Sequence, residues 1–217
     1  MADLTQVPRW VQGAWRREGS ARGQASLVER CDVLWLQTPT YFADLRVPNQ
    51  PVEDVLDELD EAQAFSGVGV FRSHVFTWIH DIDTRRRPDD RPDVATLEAD
   101  STLLFERGEG YLERWRREEV RTDFAVADWN VSPSPERRAS APSGRIVVVG
   151  HLAIGVWSKP SAAAAGFVRM RAGWSTTATI GRVPQKEKVL TGLLGALDRD
   201  EALAAGWTRR PPQGENR

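Results

Sequence analysis

The stretch TYFADLRVP, residues 40–48, alternates with a period of two and decides how the rest of this chain is interpreted. Successive side chains of a β-strand point to opposite faces of a sheet, so this period predicts a strand. One face carries the odd-numbered side chains Tyr41, Ala43 and Leu45. The other face carries the even-numbered side chains Phe42, Asp44 and Arg46. The stretch therefore predicts a strand whose charged pair shares one face.

Strand-like composition recurs along most of the remaining chain. Apolar, β-branched and aromatic residues dominate further stretches at 26–38, 67–83, 101–120, 123–129, 144–157 and 166–183. Within 101–120, two strand-like runs are separated by the sequence GEG at 108–110, which indicates a hairpin. Many short strands separated by turn signals predict antiparallel sheets that close as a barrel or a sandwich.

Two segments have helical periodicity instead. In 51–64, apolar residues recur three and four positions apart behind Pro51, and acidic residues occupy the first turn. The segment 185–197 shows the same spacing of apolar residues behind Pro184. The sequence thus predicts two short accessory helices, followed by a disordered tail at 208–217 that is polar and rich in proline.

The composition is that of an ordinary globular protein of 217 residues, with a formal net charge of −2 and a hydrophobic fraction of 41%. This charge provides no attraction to nucleic acid or to an anionic membrane, so neither is expected as a partner. The single cysteine, Cys31, excludes an intramolecular disulfide framework and fits a reducing compartment. With no signal-peptide pattern and no apolar run of about 20 residues, a cytoplasmic location is expected.

The tetrapeptide WRRE occurs twice, at 15–18 and at 115–118. Two copies in equivalent elements would mean two similar β-units, whereas the abundance of arginine and glutamate allows a chance match. The first copy stands in RWVQGAWRREG, which resembles the G-x-W opening of lipocalin-like barrels, with Gly13 and Trp15 in the matching places.

A wider resemblance is carried by LWLQTPTYFADLRVP, AFSGVGVF, TWIHDID, FERGEGYLERW and GFVRMRAGW. These stretches are similar to the Hri-type family, whose yeast member is linked to a casein kinase. The resemblance implies two lipocalin-like barrels in one chain and brings no catalytic residues with it. We therefore expect an all-β protein of two lipocalin-like antiparallel β-barrel units, at 1–98 and 99–207, with two short accessory helices.

The charged face of the 40–48 strand is the first candidate site. If this face points into a barrel, Asp44 and Arg46 form a pair able to hold a polar group of a ligand. If it points outward, the two residues form a surface ion pair worth about 0–1 kcal/mol. Gln37 and Tyr41 are neighbouring hydrogen-bond donors that serve either a ligand or the ends of their own strands.

His80, in FTWIHDID, shares its predicted face with Phe76 and Trp78. A histidine titrates near neutral pH, so His80 is a candidate general acid or base beside an aromatic surface. The alternative is a packed, hydrogen-bonded core histidine. His151, in VVVGHLAIGVW, has the same two interpretations, as a buried core residue or as a second cavity group.

Two glutamates flank the predicted hairpin turn, Glu106 before it and Glu113 after it. Across a hairpin they can approach each other, and contact with Trp115 would raise the pKa of a carboxyl group. Paired carboxyls of this kind also occur in glycosidases, although nothing in the sequence sets the separation that such chemistry requires. The alternative is cross-strand pairing of each glutamate with arginine.

No metal or cofactor is expected. On a straight strand, His74 and His80 would lie about 20 Å apart, and Cys31 has no histidine nearby in the sequence. The sequence also lacks a G-x-x-x-x-G-K-[ST] loop, and the GVG at 67–69 is not followed by a helical segment.

These patterns predict a protein that binds a small organic molecule, apolar or aromatic, in a barrel cavity. The candidate ligand contacts are Trp35, Gln37, Tyr41, Arg46, Trp78, Glu106, Trp115 and His151. The alternative is a cofactor-free isomerase, cyclase or lyase in which His80, Asp44 or Glu113 moves a proton. A protein-interaction scaffold is the second alternative, and the sequence leaves a homodimer open.

Overall fold

The computed structural model describes residues 7–49, 62–85, 92–100, 102–121, 123–129, 143–158, 162–185, 187–203 and 207–210. Within these ranges the secondary structure consists of strands and one helix. The prediction of an all-β fold is therefore confirmed.

Eight antiparallel strands form a closed barrel in the order in which they occur in the chain. They are β1 (Gly13–Arg22), β2 (Cys31–Gln37), β3 (Tyr41–Pro48), β4 (Gln63–Arg72), β5 (Val75–Asp83), β6 (Asp93–Asp100), β7 (Leu103–Gly108) and β8 (Tyr111–Arg117). Each strand pairs with the next, and β8 returns to pair with β1. Closure of this kind removes the free edges that an open sheet would expose.

The two WRRE tetrapeptides lie on neighbouring strands of this single barrel. Because β1 and β8 run antiparallel, Trp15 lies opposite Arg117, and Arg17 lies opposite Trp115. Both tryptophans pack in the same apolar cluster inside the barrel. The repeat therefore joins the first strand of the barrel to the last, and it does not open two equivalent units.

The remaining strands form an open, six-stranded antiparallel sheet in the order β13-β12-β11-β10-β9-β14. They are β9 (Phe124–Trp129), β10 (Gly144–Val149), β11 (Leu152–Trp157), β12 (Ala163–Met170), β13 (Gly173–Ile180) and β14 (Trp207–Arg210). The helix α1 (Glu187–Asp198) lies between β13 and β14 in the chain. In the described parts of the chain, no helix has the length and apolar character that crossing a membrane requires.

The second sheet is covered on both faces. One face packs against the outside of the barrel, where Leu34 and Leu45 belong to the same cluster as Ile154. The other face packs against α1, whose Leu190 and Leu194 join the cluster on that side. Because both faces are covered, β10 and β11 are buried along their whole length rather than at alternate positions.

Arg145 links the second sheet to the barrel through buried polar contacts. Its guanidinium group donates to both carboxylate oxygens of Asp128 on β9, at 2.6 and 3.2 Å, and to Asp81 on β5, at 2.6 Å. Its Cζ atom lies 4.6 Å from the centroid of the Tyr41 ring on β3. Charge-assisted hydrogen bonds of this kind are stronger than neutral ones, so Arg145 fixes how the sheet sits on the barrel.

The predicted division into two barrels differs from the observed architecture. The second unit is an open sheet in the described residues, because β13 and β14 form its two edges. The predicted boundary at 98–99 falls within β6, because β7 and β8 are required to close the barrel around β1.

The predicted helices have different outcomes. The segment 185–197 contains α1, which begins at Glu187. The predicted helix at 51–64 lies mostly outside the described residues, and Gln63 already begins β4. The predicted tail at 208–217 begins inside β14, where Thr208 is paired with Asp128 of β9, and residues 211–217 lie outside the described residues.

Candidate functional site

The charged face of β3 points into the barrel. The interior side chains of this strand are Phe42, Asp44 and Arg46. The opposite side chains, which pack between the barrel and the second sheet, are Tyr41, Ala43 and Leu45. The predicted alternation is confirmed, and it places the charged pair inside because the apolar face of β3 is covered by the sheet.

The barrel interior contains a cavity of about 100 Å³. Its lining combines aromatic and ionisable side chains: Trp35, Asp44, Arg46, Gln63, Phe65, Trp78, Arg85, Asp93, Glu106, Tyr111, Glu113 and Trp115. A single water requires roughly 10–15 Å³, and an apolar cavity of about 150 Å³ admits benzene. At about 100 Å³ the cavity is smaller than that, so it suits a small group of waters or part of one aromatic ring.

Glu113 on β8 is held by arginines from two other strands. Arg17 on β1 donates to Glu113 Oε1 at 2.5 Å, and the Nη1 atom of Arg46 lies 3.6 Å from the same oxygen. Arg17 also donates twice to Glu29, at 2.8 and 3.0 Å. The side chains of Arg17 and Glu113 are 0% and 1% exposed, so the pair is desolvated. A buried charge is tolerated only when it is paired and hydrogen-bonded in this way.

Arg46 also forms an ion pair with Asp44 on its own strand. Arg46 Nε donates to Asp44 Oδ1 at 2.9 Å, and the guanidinium carbon lies 5.2 Å from the centroid of the Phe65 ring. Burial raises the pKa of Asp44, although the neighbouring guanidinium opposes this shift. Arg46 is thus shared between two carboxyl groups, as Arg17 is.

Glu106 lies directly opposite Glu113 in the β7–β8 pairing, as the hairpin in the sequence predicts. Glu106 Oε1 accepts a hydrogen bond from the Tyr111 hydroxyl at 2.7 Å, and Oε2 accepts one from the Trp115 indole at 3.1 Å. Burial, together with the carboxylate of Glu113, raises the pKa of Glu106 to about 8. Glu106 is therefore protonated at neutral pH and ionises under mildly alkaline conditions.

Three residues of the cavity lining, Trp35, Gln63 and Glu113, have between them four buried polar atoms without a hydrogen-bond partner among the described residues. Two are donors, Nε1 of Trp35 and Nε2 of Gln63, and two are acceptors, Oε1 of Gln63 and Oε2 of Glu113. Leaving a buried polar group unsatisfied costs about 1–3 kcal/mol. Native proteins contain few such groups, and those at a cavity are satisfied by a molecule that occupies it.

His80 lies beside the cavity, where β5 and β6 separate. Only the section of β5 up to Trp78 pairs with β6. Beyond it, His80 Nδ1 lies 3.1 Å from Asp83, and His80 Nε2 lies 3.3 Å from Asp93. Burial lowers the pKa of His80, but these hydrogen bonds to Asp83 and Asp93 outweigh it and raise the pKa overall. The ring also stacks on Phe65 at 4.5 Å, so His80 joins the two strands instead of lining the cavity.

A register shift ends the alternation of β5 just after His80. The pairing with β4 shifts between Ser66 and Gly67, so Asp81 has no opposite residue on β4. Trp78 consequently packs inside the barrel, whereas Ile82 packs on the outside against the second sheet. A Cβ atom on Gly67 would lie 1.8 Å from the Ile79 carbonyl oxygen, so this close approach requires glycine.

The structure brings most of the residues predicted from the sequence to the cavity. Its lining includes Trp35, Asp44, Arg46, Trp78, Glu106, Glu113 and Trp115. The Gln37 side chain instead donates to the backbone carbonyls of Thr38 and Tyr41. Tyr41 points outward beneath Arg145, and His151 lies half-buried in the turn between β10 and β11, so neither contributes to the cavity.

Several cavity residues were not predicted from the sequence. The lining residues missed are Gln63, Phe65, Arg85, Asp93 and Tyr111. The helical spacing of 51–64 conceals Gln63, although Gln63 and Phe65 alternate with small residues as a strand requires. Arg17 is two residues from Trp15 on the same strand, so both side chains share one face. This spacing could have placed Arg17 inside the barrel. Arg85 and Asp93 flank a charged stretch of the sequence that contains two prolines, where no periodicity indicates their position.

The fold and the site define a class of protein, an antiparallel β-barrel with an aromatic and charged internal cavity. No family model, curated protein or solved structure matches the chain. The resemblance to the Hri-type family therefore stays a prediction. Among the described residues, no group of three or more His, Cys, Asp or Glu side chains is arranged to hold a metal ion.

Replacing Gln63 with leucine removes two buried atoms that lack hydrogen-bond partners. We expect Gln63→Leu to raise the free energy of unfolding of the ligand-free protein by about 1–3 kcal/mol, measured by chemical denaturation. Gln12→Leu is the matched control, because the Gln12 amide donates to the Val7 carbonyl at 2.6 Å and its loss should lower stability. A Gln63→Leu protein that is less stable than the wild type would contradict the assignment of Gln63 as an unsatisfied group.

The pKa of Glu106 predicts how stability changes with pH. The side chain has an ordinary pKa of 4.5 when unfolded and one of about 8 when folded. Between these values the folded state binds more protons, so rising pH lowers the free energy of unfolding, by at most about 1.4 kcal/mol per pH unit.

We therefore expect the free energy of unfolding of the wild type, measured relative to Glu106→Gln, to decline between pH 4.5 and pH 8. Denaturant titrations at several pH values provide the comparison. Glu98→Gln, on the exposed outer face of β6, is the control for loss of a carboxyl group. A wild-type to Glu106→Gln difference that stays constant across this window would show that Glu106 ionises normally.

Proposed function

We propose that the barrel binds a small organic molecule that combines a flat or apolar body with a few polar groups. The observation that carries this proposal is the set of four unsatisfied polar atoms, from Trp35, Gln63 and Glu113, in a cavity lined by both aromatic and ionisable side chains. Binding sites for small molecules have this composition, with mostly apolar walls and a few convergent polar groups.

The aromatic side chains support a planar ligand. The Trp35 ring lies at the centre of the cluster, with centroids 5.8 Å from Trp78 and 5.6 Å from Trp115, both in edge-to-face arrangements. A flat ring that enters the cavity extends this cluster and gains from the same stacking and edge contacts. The cavity volume of about 100 Å³ limits the enclosed part of the ligand to less than one full ring.

We also propose that the barrel is lipocalin-like. It is supported by eight antiparallel strands in sequential order and by closure of β8 onto β1. Barrels of about eight strands have an interior that is either filled by side chains or large enough for one small ligand. The cavity and its unsatisfied polar atoms favour an interior that holds one small ligand.

Trp35→Phe tests the proposal at a single atom. The substitution keeps an aromatic ring and removes the unpartnered Nε1–H, so a ligand that accepts this hydrogen bond should bind about fivefold to tenfold more weakly. Saturable quenching of tryptophan fluorescence by a panel of small aromatic and lipid-like compounds identifies the ligand. Calorimetric titration then measures its Kd for each variant.

Trp157→Phe is the matched control for this experiment. The Trp157 Nε1 is also buried and unpartnered, but its ring packs between the second sheet and α1. The control should bind the ligand as the wild type does. The proposal fails if no compound in the panel binds saturably, or if the two phenylalanine variants weaken binding equally.

The pair Glu106 and Glu113 favours a second candidate, a cofactor-free reaction that depends on proton transfer. At neutral pH, Glu106 carries a proton while lying opposite Glu113, whose Oε2 atom has no partner among the described residues. Two facing carboxyl groups that differ in environment are a suitable acid and base for an isomerisation, cyclisation or elimination.

Deuterium exchange tests this second candidate. When the best ligand from the panel is incubated with the protein in D2O, NMR should show deuterium incorporation at carbon or conversion to a product. Glu113→Gln should abolish the exchange while near-ultraviolet circular dichroism confirms folding, and Glu98→Gln should leave it unchanged. A bound compound that neither exchanges nor converts would exclude proton-transfer chemistry on it.

A further inference from the structure

The cavity contains more acidic than basic side chains. Four carboxyl groups line it, those of Asp44, Asp93, Glu106 and Glu113, against the guanidinium groups of Arg46 and Arg85. Arg17, which lies behind Glu113, is offset by Glu29, to which it donates two hydrogen bonds. At neutral pH Glu106 keeps its proton and Asp93 contacts His80, so the charges at the cavity balance closely only as long as Glu106 stays protonated.

The arginines closest to the glutamate pair are already engaged. Arg46 is bonded to Asp44 and lies near Glu113, and Arg17 bridges Glu113 and Glu29. The oxygen atoms that remain available are Oε2 of Glu113 and Oε1 of Gln63, and both accept hydrogen bonds. A ligand must therefore bring N–H donors to these oxygens, and an anionic group placed beside Glu113 would meet a carboxylate. The two unpartnered donors, Nε1 of Trp35 and Nε2 of Gln63, require an acceptor from the same ligand or from a bound water.

The aromatic walls favour the same kind of ligand. Trp35, Trp78 and Trp115 all line the cavity with Glu113. Organic cations are attracted both to the faces of indole rings and to carboxylates in a desolvated site. The same rings also contact the apolar body of a planar molecule.

We infer that the ligand of this cavity is a small organic cation, such as an aromatic amidine or amine, whose N–H groups donate to Glu113 and Gln63. This inference rests on the proposed binding function and narrows it to one chemical class. It excludes carboxylate and phosphate ligands. It also predicts that neutral molecules of the same shape bind with lower affinity than the cation.

A change in the protonation of Glu106 on ligand binding provides a measurable test of the inference. The ionisable groups that act on it are Glu113, Tyr111, Arg46 and Asp44. Without a ligand, burial and Glu113 raise the pKa of Glu106 to about 8, and the side chain keeps its proton at pH 7. A cation bound beside Glu106 and Glu113 supplies the positive charge that an ionised Glu106 requires, and it therefore favours the ionised form. Binding near pH 7 should therefore release close to one proton to solvent.

The test compares three nearly isosteric compounds, benzamidine, benzamide and benzoate, by calorimetric titration of the full chain between pH 6 and pH 9. Benzamidine remains cationic throughout this range. Its Kd should fall by up to about tenfold per pH unit as pH rises to 8 and then level off. The affinity for benzamide should be lower and independent of pH, and benzoate should bind most weakly. Titrations at pH 7 in two buffers with different ionisation enthalpies count the released protons.

Glu106→Gln should make benzamidine binding weaker and pH-independent, with no proton release. Glu98→Gln, which removes a carboxyl group from the outside of the barrel, should behave as the wild type. If Glu106→Gln does not fold, the charge series and the proton count on the wild type still decide the question. The inference is overturned if benzamide or benzoate binds as tightly as benzamidine, or if benzamidine binds without releasing a proton.

The outcome also separates this inference from the proposed function. If the fluorescence panel yields a neutral or anionic ligand while benzamidine does not bind, the barrel is a binding protein and its ligand is not a cation. If no compound of any charge binds, both the inference and the proposed function fail.

Discussion

The cavity depends on the contact between Arg17 and Glu113 across the seam that closes the barrel. Arg17 belongs to the first strand and Glu113 to the last, and their side chains are almost completely removed from water. Separating such a pair would leave an uncompensated buried charge, at a cost of about 3–5 kcal/mol. The ion pair therefore couples barrel closure to the position of Glu113. It leaves one oxygen of this carboxylate available inside the cavity.

The second sheet supports one wall of the same cavity. Its apolar face covers the outside of β3 through residues such as Leu45, so the opposite side of that strand must carry the charged pair Asp44 and Arg46 inward. Arg145 holds the two parts together by bonding Asp128 of the sheet and Asp81 of the barrel. The sheet thus stabilises the orientation of the polar wall without contributing a residue to the cavity lining.

Where strands are regular, the local sequence pattern was sufficient to predict which side chains share a face and which lie opposite each other. Period two placed Asp44 and Arg46 on one face, and the hairpin turn placed Glu106 opposite Glu113, because these relations depend only on residue spacing. The sequence pattern gave the wrong side-chain positions where strand pairing is irregular or where the contacting residues are far apart in the chain. The register shift near Gly67 directs Ile82 away from the face of Trp78, and Tyr41 is used by Arg145 from another sheet. The helical spacing of 51–64 concealed Gln63, which begins a strand.

The sequence by itself determined the all-β class and the faces of the regular strands, since both follow from the alternation of side chains along an extended backbone. Only the tertiary structure decided that the two WRRE copies close one barrel and that the second unit is an open sheet. It also decided which polar atoms lack partners and which carboxyl group keeps its proton. The physical reason is that pairing and desolvation depend on neighbours far apart in the chain, and local periodicity carries no information about them.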